Sequence, residues 1–290
     1  MTAARLRIAV QKSGRLAEKS LELIEAAGFR VIKGANELLY RIENAPVDLL
    51  RVRDDDIPTF VGDGVADFGI VGRNVLEERS EGERPVEVMP LGFGRCELRI
   101  AAPPDFDYQG PRSLAGKRVA TSYPNVLKRY LKKYDVDCGI VTMRGAVEVA
   151  PRLKLAHAIC DLVSTGATLE TNGLASVETV LESEAMLIQS RALRDASLAP
   201  VADSLIARIR GVSASRGAKY VMMNAPRARL SEISALLPGA DAPTVTPLAG
   251  RDDVVAVHAV CQESVFWETL ERLKAAGATA VLVLPIEKMM

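Results

Sequence analysis

The sequence predicts an α/β protein made of two lobes that enclose a cleft, followed by a small module of the βαββαβ plan. Three observations carry this prediction. An apolar run, Ala158 to Val163, stops abruptly at Ser164-Thr165-Gly166-Ala167-Thr168, the pattern of a doubly buried strand feeding a loop and a helix. Strand, loop and helix patterns recur on both sides of the polar connection Gly92-Phe93-Gly94-Arg95. Beyond Gly217 the order strand, helix, strand, strand, helix, strand fills about seventy residues, the ferredoxin-like plan.

Leu6 to Val10 reads as the first strand. It runs into Gln11-Lys12-Ser13-Gly14-Arg15 before a helix that carries Leu16, Leu23, Ile24 and Ala27 and stops at Gly28. A glycine-containing loop with two cations at a strand's carboxyl end is where open α/β sheets bind ligands. Lys12 and Arg15 are therefore candidate phosphate partners, although loop cations are often only solvated. Val47 to Val52 is a second strand, and Asp54-Asp55-Asp56 before Ile57-Pro58 reads as helix-capping acid rather than a metal site. Asp67 to Gly72 is a strand closed by glycine, Arg73 to Glu78 a helix, and Val86 to Leu91 a strand.

The pattern restarts with strands at Cys96 to Ala102 and Gly116 to Ala120. A helix follows, carrying Val126, Leu127, Tyr130 and Leu131, then a strand at Cys138 to Met143 and a short helix predicted over Gly145 to Leu155. After the 158–163 strand, Ala175 to Ser183 and Ala185 to Gln189 return the chain to the first lobe. The predicted division is therefore residues 1–95 with 182–195 for lobe one and 96–181 for lobe two. A connecting helix over 196–217, with Leu198, Val201, Leu205, Ile209 and Val212 on one face, leads to the module at 218–290. In the module, Phe266 and Trp267 are expected in the core.

Composition narrows the function. Of 290 residues, 37 are Lys or Arg and 37 are Asp or Glu, so no overall field attracts nucleic acid or acidic membranes. Any anion site is local. The four cysteines stand apart, with no pair spaced for zinc, and read as core residues of a reducing cytoplasm. No window reaches the ~20 apolar residues of a membrane span.

Ser164 to Thr168 offers hydroxyls, a glycine and the positive end of a following helix, a cradle for phosphate. Asp161 just behind it suits sugar hydroxyls. Together they suggest a phosphorylated ribose, against the plainer reading of a capped strand-to-helix turn. The two histidines, His157 and His258, sit by no nucleophile or metal cluster and read as structural. In the module, Asn224 and Thr244 at strand ends are candidate contacts for an effector.

Four stretches, Gln11 to Arg15, Arg51 with Asp56-Ile57-Pro58, Asp67 to Gly72 and Asp161 to Leu169, resemble ATP phosphoribosyltransferases over nearly the whole chain. Pro243-Thr244-Val245-Thr246-Pro247 and the third unit fit the long form of that family. One position departs: Lys154 stands before Leu155 where the family pattern has glycine. The resemblance implies a catalytic body like periplasmic binding proteins and a C-terminal regulatory domain. It implies transfer of the phosphoribosyl group of phosphoribosyl pyrophosphate to N1 of ATP, the first step of histidine biosynthesis. It also implies Mg²⁺ dependence without an all-protein metal cage, feedback inhibition by histidine, and a homo-oligomer from dimer to hexamer. By the same resemblance Lys12, Arg15 and Arg51 form the catalytic set, and Asp67, Glu148, Asp161, Ser164, Thr165, Gly166, Ala167 and Thr168 bind substrate. The rival readings are a two-lobed cytosolic small-molecule sensor without catalysis, and a phosphoribosyltransferase whose loop begins with paired acids. Cys160 before Asp161 argues against the latter.

Overall fold

The computed structural model describes residues 4–34, 38–79, 83–164, 166–237 and 242–289. In chain order the strands of the first compact unit are β1 (Leu6–Gln11), β2 (Val31–Ile32), β3 (Leu39–Ile42), β4 (Val47–Val52), β5 (Phe68–Gly72) and β6 (Val86–Pro90). They continue with β7 (Cys96–Ala102), β8 (Arg118–Thr121), β9 (Gly139–Thr142), β10 (Ala158–Val163), β11 (Ala175–Ser183) and β12 (Ala185–Gln189). Its helices are α1 (Ala17–Ala26), α2 (Ile57–Gly62), α3 (Arg73–Glu78), α4 (Pro124–Lys133) and α5 (Ala167–Thr171). This unit spans Met1–Ser204.

Its strands make two sheets. The first, seven-stranded, has the order β2-β3-β4-β1-β5-β12-β6, and the second, five-stranded, the order β11-β7-β10-β8-β9. β1 lies parallel to β4 and β5. Leu6, Ile8, Ala9 and Val10 are all inaccessible, as expected of a central parallel strand covered on both faces. Burying each large side chain contributes roughly 1.5–3 kcal/mol. In the second sheet β10 runs parallel to β8 and antiparallel to β7. β11 belongs to the second sheet and β12 to the first, so the chain crosses between lobes at Ser183 and Glu184.

Several expectations need correction. The short helix expected over Gly145 to Leu155 is only a 3₁₀ turn, Val147–Val149. Left-handed backbone at Gly145, Ala146 and Lys154 and the missing N–H of Pro151 prevent a longer one. Lys154 has φ +59, a conformation glycine adopts most readily. Asp54–Asp56 form a 3₁₀ turn ahead of α2, and no side chain caps that helix. Asp55 instead pairs with Arg79 at 3.5 Å.

The helix α6 (Ala199–Ser215) runs past the end of the first unit, because the second compact unit is Leu205–Met290. That unit contains β13 (Ala218–Pro226), α7 (Leu230–Leu236), β14 (Thr244–Leu248), β15 (Arg251–Gln262), α8 (Glu263–Ala275) and β16 (Thr279–Pro285). The sheet order is β14-β15-β13-β16 and every pairing is antiparallel, the ferredoxin-like arrangement. Val221, Met223, Ala225, Ile233, Val257, Phe266 and Leu273 form its core. Trp267, expected inside, is 64% exposed, and Leu282 and Leu284 of β16 are also exposed.

Candidate functional site

The loops that follow the carboxyl ends of the parallel strands β1, β4, β5, β8, β9 and β10 occupy the position at which open sheets place their chemistry. The loop after β1 is pinned by its own sequence. Gln11 Oε1 accepts a hydrogen bond from the Leu16 N–H at 2.8 Å. Gly14 has φ +110, a conformation L side chains rarely adopt, and a Cβ there would lie 2.7 Å from Gln11 Nε2, so a larger residue would be strained and would displace the Gln11 side chain. This presents Arg15 toward the second lobe. Its guanidinium donates to Ser164 Oγ and to Cys96 Sγ, each at 3.0 Å. A cation from one lobe thus touches the first residue of the cradle on the other.

The cradle follows β10. Gly166 caps α5 with φ +83, and a Cβ there would meet nothing within 4 Å; the backbone conformation alone selects glycine. Ser164, Gly166, Ala167 and Thr168 are brought together at the start of α5, and Thr165 lies outside the described residues. Asp161 accepts from the Leu162 N–H at 2.9 Å. Burial raises its carboxyl above the usual carboxylate range, partly offset by that hydrogen bond, and the Glu148 charge raises it further. Glu148 lies in the 3₁₀ turn Val147–Val149. Tyr123, in the loop after β8, has its hydroxyl pushed up by burial and by the charge of Asp161.

A cleft of about 600 Å³ opens beside the cradle, lined by Ser164, Gly166, Arg73, Arg95 and Arg99 among others. Sequence reasoning missed these three arginines. They pair loosely with carboxylates: Arg73 with Glu87 at 3.1 Å, Arg99 with Glu97 at 3.4 Å and Arg95 with Glu184 at 3.9 Å. The available signal was alternation along β7, since Arg99 stands directly opposite Asp161 in the register and so shares its face.

Two expected site residues do other work. Arg51 donates to the Lys12 carbonyl at 2.7 Å and to the Tyr40 hydroxyl, with its guanidinium 4.5 Å over the Tyr40 ring. It braces the backbone of the Lys12 loop. Asp67 is fully buried at the amino end of β5, the opposite end of the parallel β1–β5 pair from the Arg15 loop. Its oxygens accept from the Arg7 N–H at 2.8 Å, from the Arg194 N–H at 2.9 Å and from the Arg194 guanidinium at 3.1 Å. Desolvated and saturated with donors, it is not available to substrate. His157 is structural as expected, its Nδ1 accepting from the Arg118 N–H at 3.0 Å.

The second unit has a cavity of about 310 Å³ lined by Tyr220, Thr244, Thr246 and His258 among others. Thr244, the candidate effector contact, lines it. Asn224 is not among its lining residues; it pairs with Ala256 on β15 and Thr279 on β16. The Tyr220 hydroxyl and His258 Nδ1 are 2.8 Å apart, a pair the sequence reading left aside.

Comparison with known proteins identifies the family. The sequence model described as ATP phosphoribosyltransferase matches residues 53–211, and the one described as HisG, C-terminal domain, matches residues 215–288. The ATP phosphoribosyltransferase of Maricaulis maris (strain MCS10) is 56% identical over 291 residues, 99% of either chain.

The chain belongs to the ATP phosphoribosyltransferase family.

Among solved structures it resembles the ATP phosphoribosyl transferase (HisG:HisZ) complex from Thermotoga maritima, at TM-score 0.59 and 26% identity, covering 71% of this chain and 98% of that one. A weaker likeness, TM-score 0.46 at 14% identity over 74% of this chain and 75% of that one, is to the periplasmic aliphatic sulphonate binding protein SsuA from Escherichia coli. As an ATP phosphoribosyltransferase of the long form, the chain carries out the first step of histidine biosynthesis. It joins N1 of ATP to C1 of phosphoribosyl pyrophosphate and releases pyrophosphate. The sensor reading is set aside.

Proposed function

We propose that phosphoribosyl pyrophosphate binds with its 5′-phosphate in the loop Ser164 to Thr168, its ribose hydroxyls toward Asp161 and Glu148, and its pyrophosphate toward Arg15 and Lys12. The observation that carries this is the Arg15 to Ser164 contact across the lobes, which sets a cation beside a phosphate cradle. Substitution at C1 builds positive charge on the sugar while negative charge moves onto the leaving pyrophosphate. Stabilising the leaving group therefore matters more than a strong base. Arg51 acts through the Lys12 loop it braces. Arg73, Arg95 and Arg99 give the cleft further cations for the polyphosphate of ATP.

Mg²⁺ suits this site. It takes oxygen ligands and is commonly held by substrate phosphates with one or two carboxylates, and Asp161 and Glu148 are carboxylates close enough to repel one another. When bound, the ion neutralises pyrophosphate charge. Thr168→Val tests the cradle by removing one donor to a dianion at constant volume, a charge-assisted bond of roughly 1.5–3 kcal/mol. Affinity for phosphoribosyl pyrophosphate, measured by calorimetry, is expected to fall at least tenfold; unchanged affinity moves the phosphate elsewhere.

The second unit is the histidine-sensing module in this reading. Its cavity offers the hydroxyls of Thr244, Thr246 and Tyr220 and the ring of His258, polar partners for an amino acid with an imidazole. In the full-length chain, Thr244→Val is expected to weaken histidine binding about tenfold, as the loss of one hydrogen bond to a charged ligand group implies. Calorimetry showing equal affinity in both proteins places the effector elsewhere. The exposed Leu282 and Leu284 support association into a homo-oligomer. No described helix is long and apolar enough to cross a membrane, and a cytoplasmic location fits a biosynthetic enzyme.

A further inference from the structure

The two lobes meet outside the cradle at a seam between α3 and α4, and one side of it has a function the reaction chemistry does not use. α4 begins at Pro124 after Tyr123, and no side chain of its own caps it. Its first free N–H groups, of Asn125 and Val126, are satisfied from the other lobe. The Glu78 carboxylate accepts both N–H groups of Asn125 and Val126, at 3.1 and 3.0 Å. The Glu78 carbonyl accepts from Asn125 Nδ2 at 3.1 Å. Glu78 is only 9% exposed, although a helix-terminal glutamate is normally solvated.

The same face of α3 grips twice more. Asn74, Glu77 and Glu78 fall at i, i+3 and i+4, adjacent on a helix. The Glu77 carbonyl accepts from Arg129 of α4 at 2.6 Å. Asn74 Nδ2 donates to the Tyr123 hydroxyl at 2.9 Å, while its Oδ1 accepts from Ser183 Oγ at 2.8 Å, at the point where the chain crosses between lobes. Tyr123 in turn feels the charge of Asp161. The seam therefore ties the interlobe crossing to the ribose side of the cradle.

We infer that Glu78 is a positioning residue: by capping α4 in trans it latches the lobes at the separation that lets Arg15 and the cradle hold one substrate molecule. This rests on the reading that phosphoribosyl pyrophosphate binds between the lobes. Opening the latch strips an anion from a helix N-terminus, where the dipole and two N–H groups favour it. Loss of the latch lowers the fraction of binding-competent molecules, and apparent affinity falls by that fraction. Saturating substrate restores closure, so the maximal rate is retained.

The test is steady-state kinetics of Glu78→Ala and Glu78→Gln, with Thr168→Val alongside. In Glu78→Ala, KM for phosphoribosyl pyrophosphate is expected to rise about tenfold, with kcat within twofold of wild type. Glu78→Gln, which keeps the length and one acceptor oxygen, should recover part of that loss. If the alanine variant does not fold, a KM rise in the glutamine variant without loss of kcat supports the latch. Unchanged KM in the Glu78 variants, with Thr168→Val raised, overturns the latch alone. Unchanged KM in all three overturns the cleft assignment and the latch with it. A fall in kcat at constant KM also overturns it, since a latch acts on binding.

Discussion

Replacing Arg15 by alanine is expected to lower kcat/KM by about 10²- to 10³-fold, the loss found when one preorganised donor to developing negative charge is removed. Arg15 carries this weight because of where its loop ends. The Gln11 and Gly14 contacts fix the turn, and the guanidinium then spans from Cys96 to Ser164. In the proposed complex the phosphates of phosphoribosyl pyrophosphate meet donors that are already oriented. Arg15→Lys should recover only part of the loss, because an ammonium lacks the planar fork that engages two acceptors at once. Initial-rate assays following the ultraviolet absorbance of phosphoribosyl-ATP measure both variants, and circular dichroism confirms that they fold. Activity within threefold of wild type in Arg15→Ala would assign pyrophosphate stabilisation to the other cations of the cleft.

The sequence made some of this site legible and hid the rest for physical reasons. β4, β7, β11 and β12 have the expected bounds, because their apolar runs are interrupted by clear polar or glycine signals. β10 was legible for the same reason, since its apolar run stops at hydroxylated and small residues. β2 and β3 were missed because they are only two and four residues long; the alternation of exposed Leu39 and Arg41 with buried Tyr40 and Ile42 in β3 is too short a run to stand out from a loop. Arg51 and Asp67 show the harder limit. A cation near a loop or an acid before a strand looks the same in sequence whether it faces substrate or a buried partner. Tyr40 and Arg194, the residues that claim them, lie 11 and 127 positions away. Glu78 hid in the same way, since its partners begin 47 residues downstream on another sheet's helix.

Asp67 gives the second large effect, one of stability. Asp67→Ala is expected to cost about 3–5 kcal/mol, the range for removing one partner of a buried ion pair. The carboxylate is inaccessible and holds three separate groups: the Arg7 N–H of β1, the Arg194 N–H and the Arg194 guanidinium. Arg194, whose side chain is 25% exposed, also donates to the Arg5 carbonyl at 2.6 Å. Without Asp67 that guanidinium keeps its desolvation cost and loses its counter-charge. The amino end of β5 also loses its tie to the segment that follows β12. Urea unfolding followed by circular dichroism should show a lower midpoint for Asp67→Ala. Asp67→Asn keeps one acceptor for the Arg194 N–H and should fall between the variant and wild type. The same Asp67→Asn protein, assayed well below its melting temperature, should keep KM for phosphoribosyl pyrophosphate within twofold, because the residue lies at the amino end of β5, which runs parallel to β1, and so away from the carboxyl end of β1 that carries the Arg15 loop. A tenfold rise in that KM at unchanged stability would return Asp67 to the substrate site and contradict its role as the buried partner of Arg194.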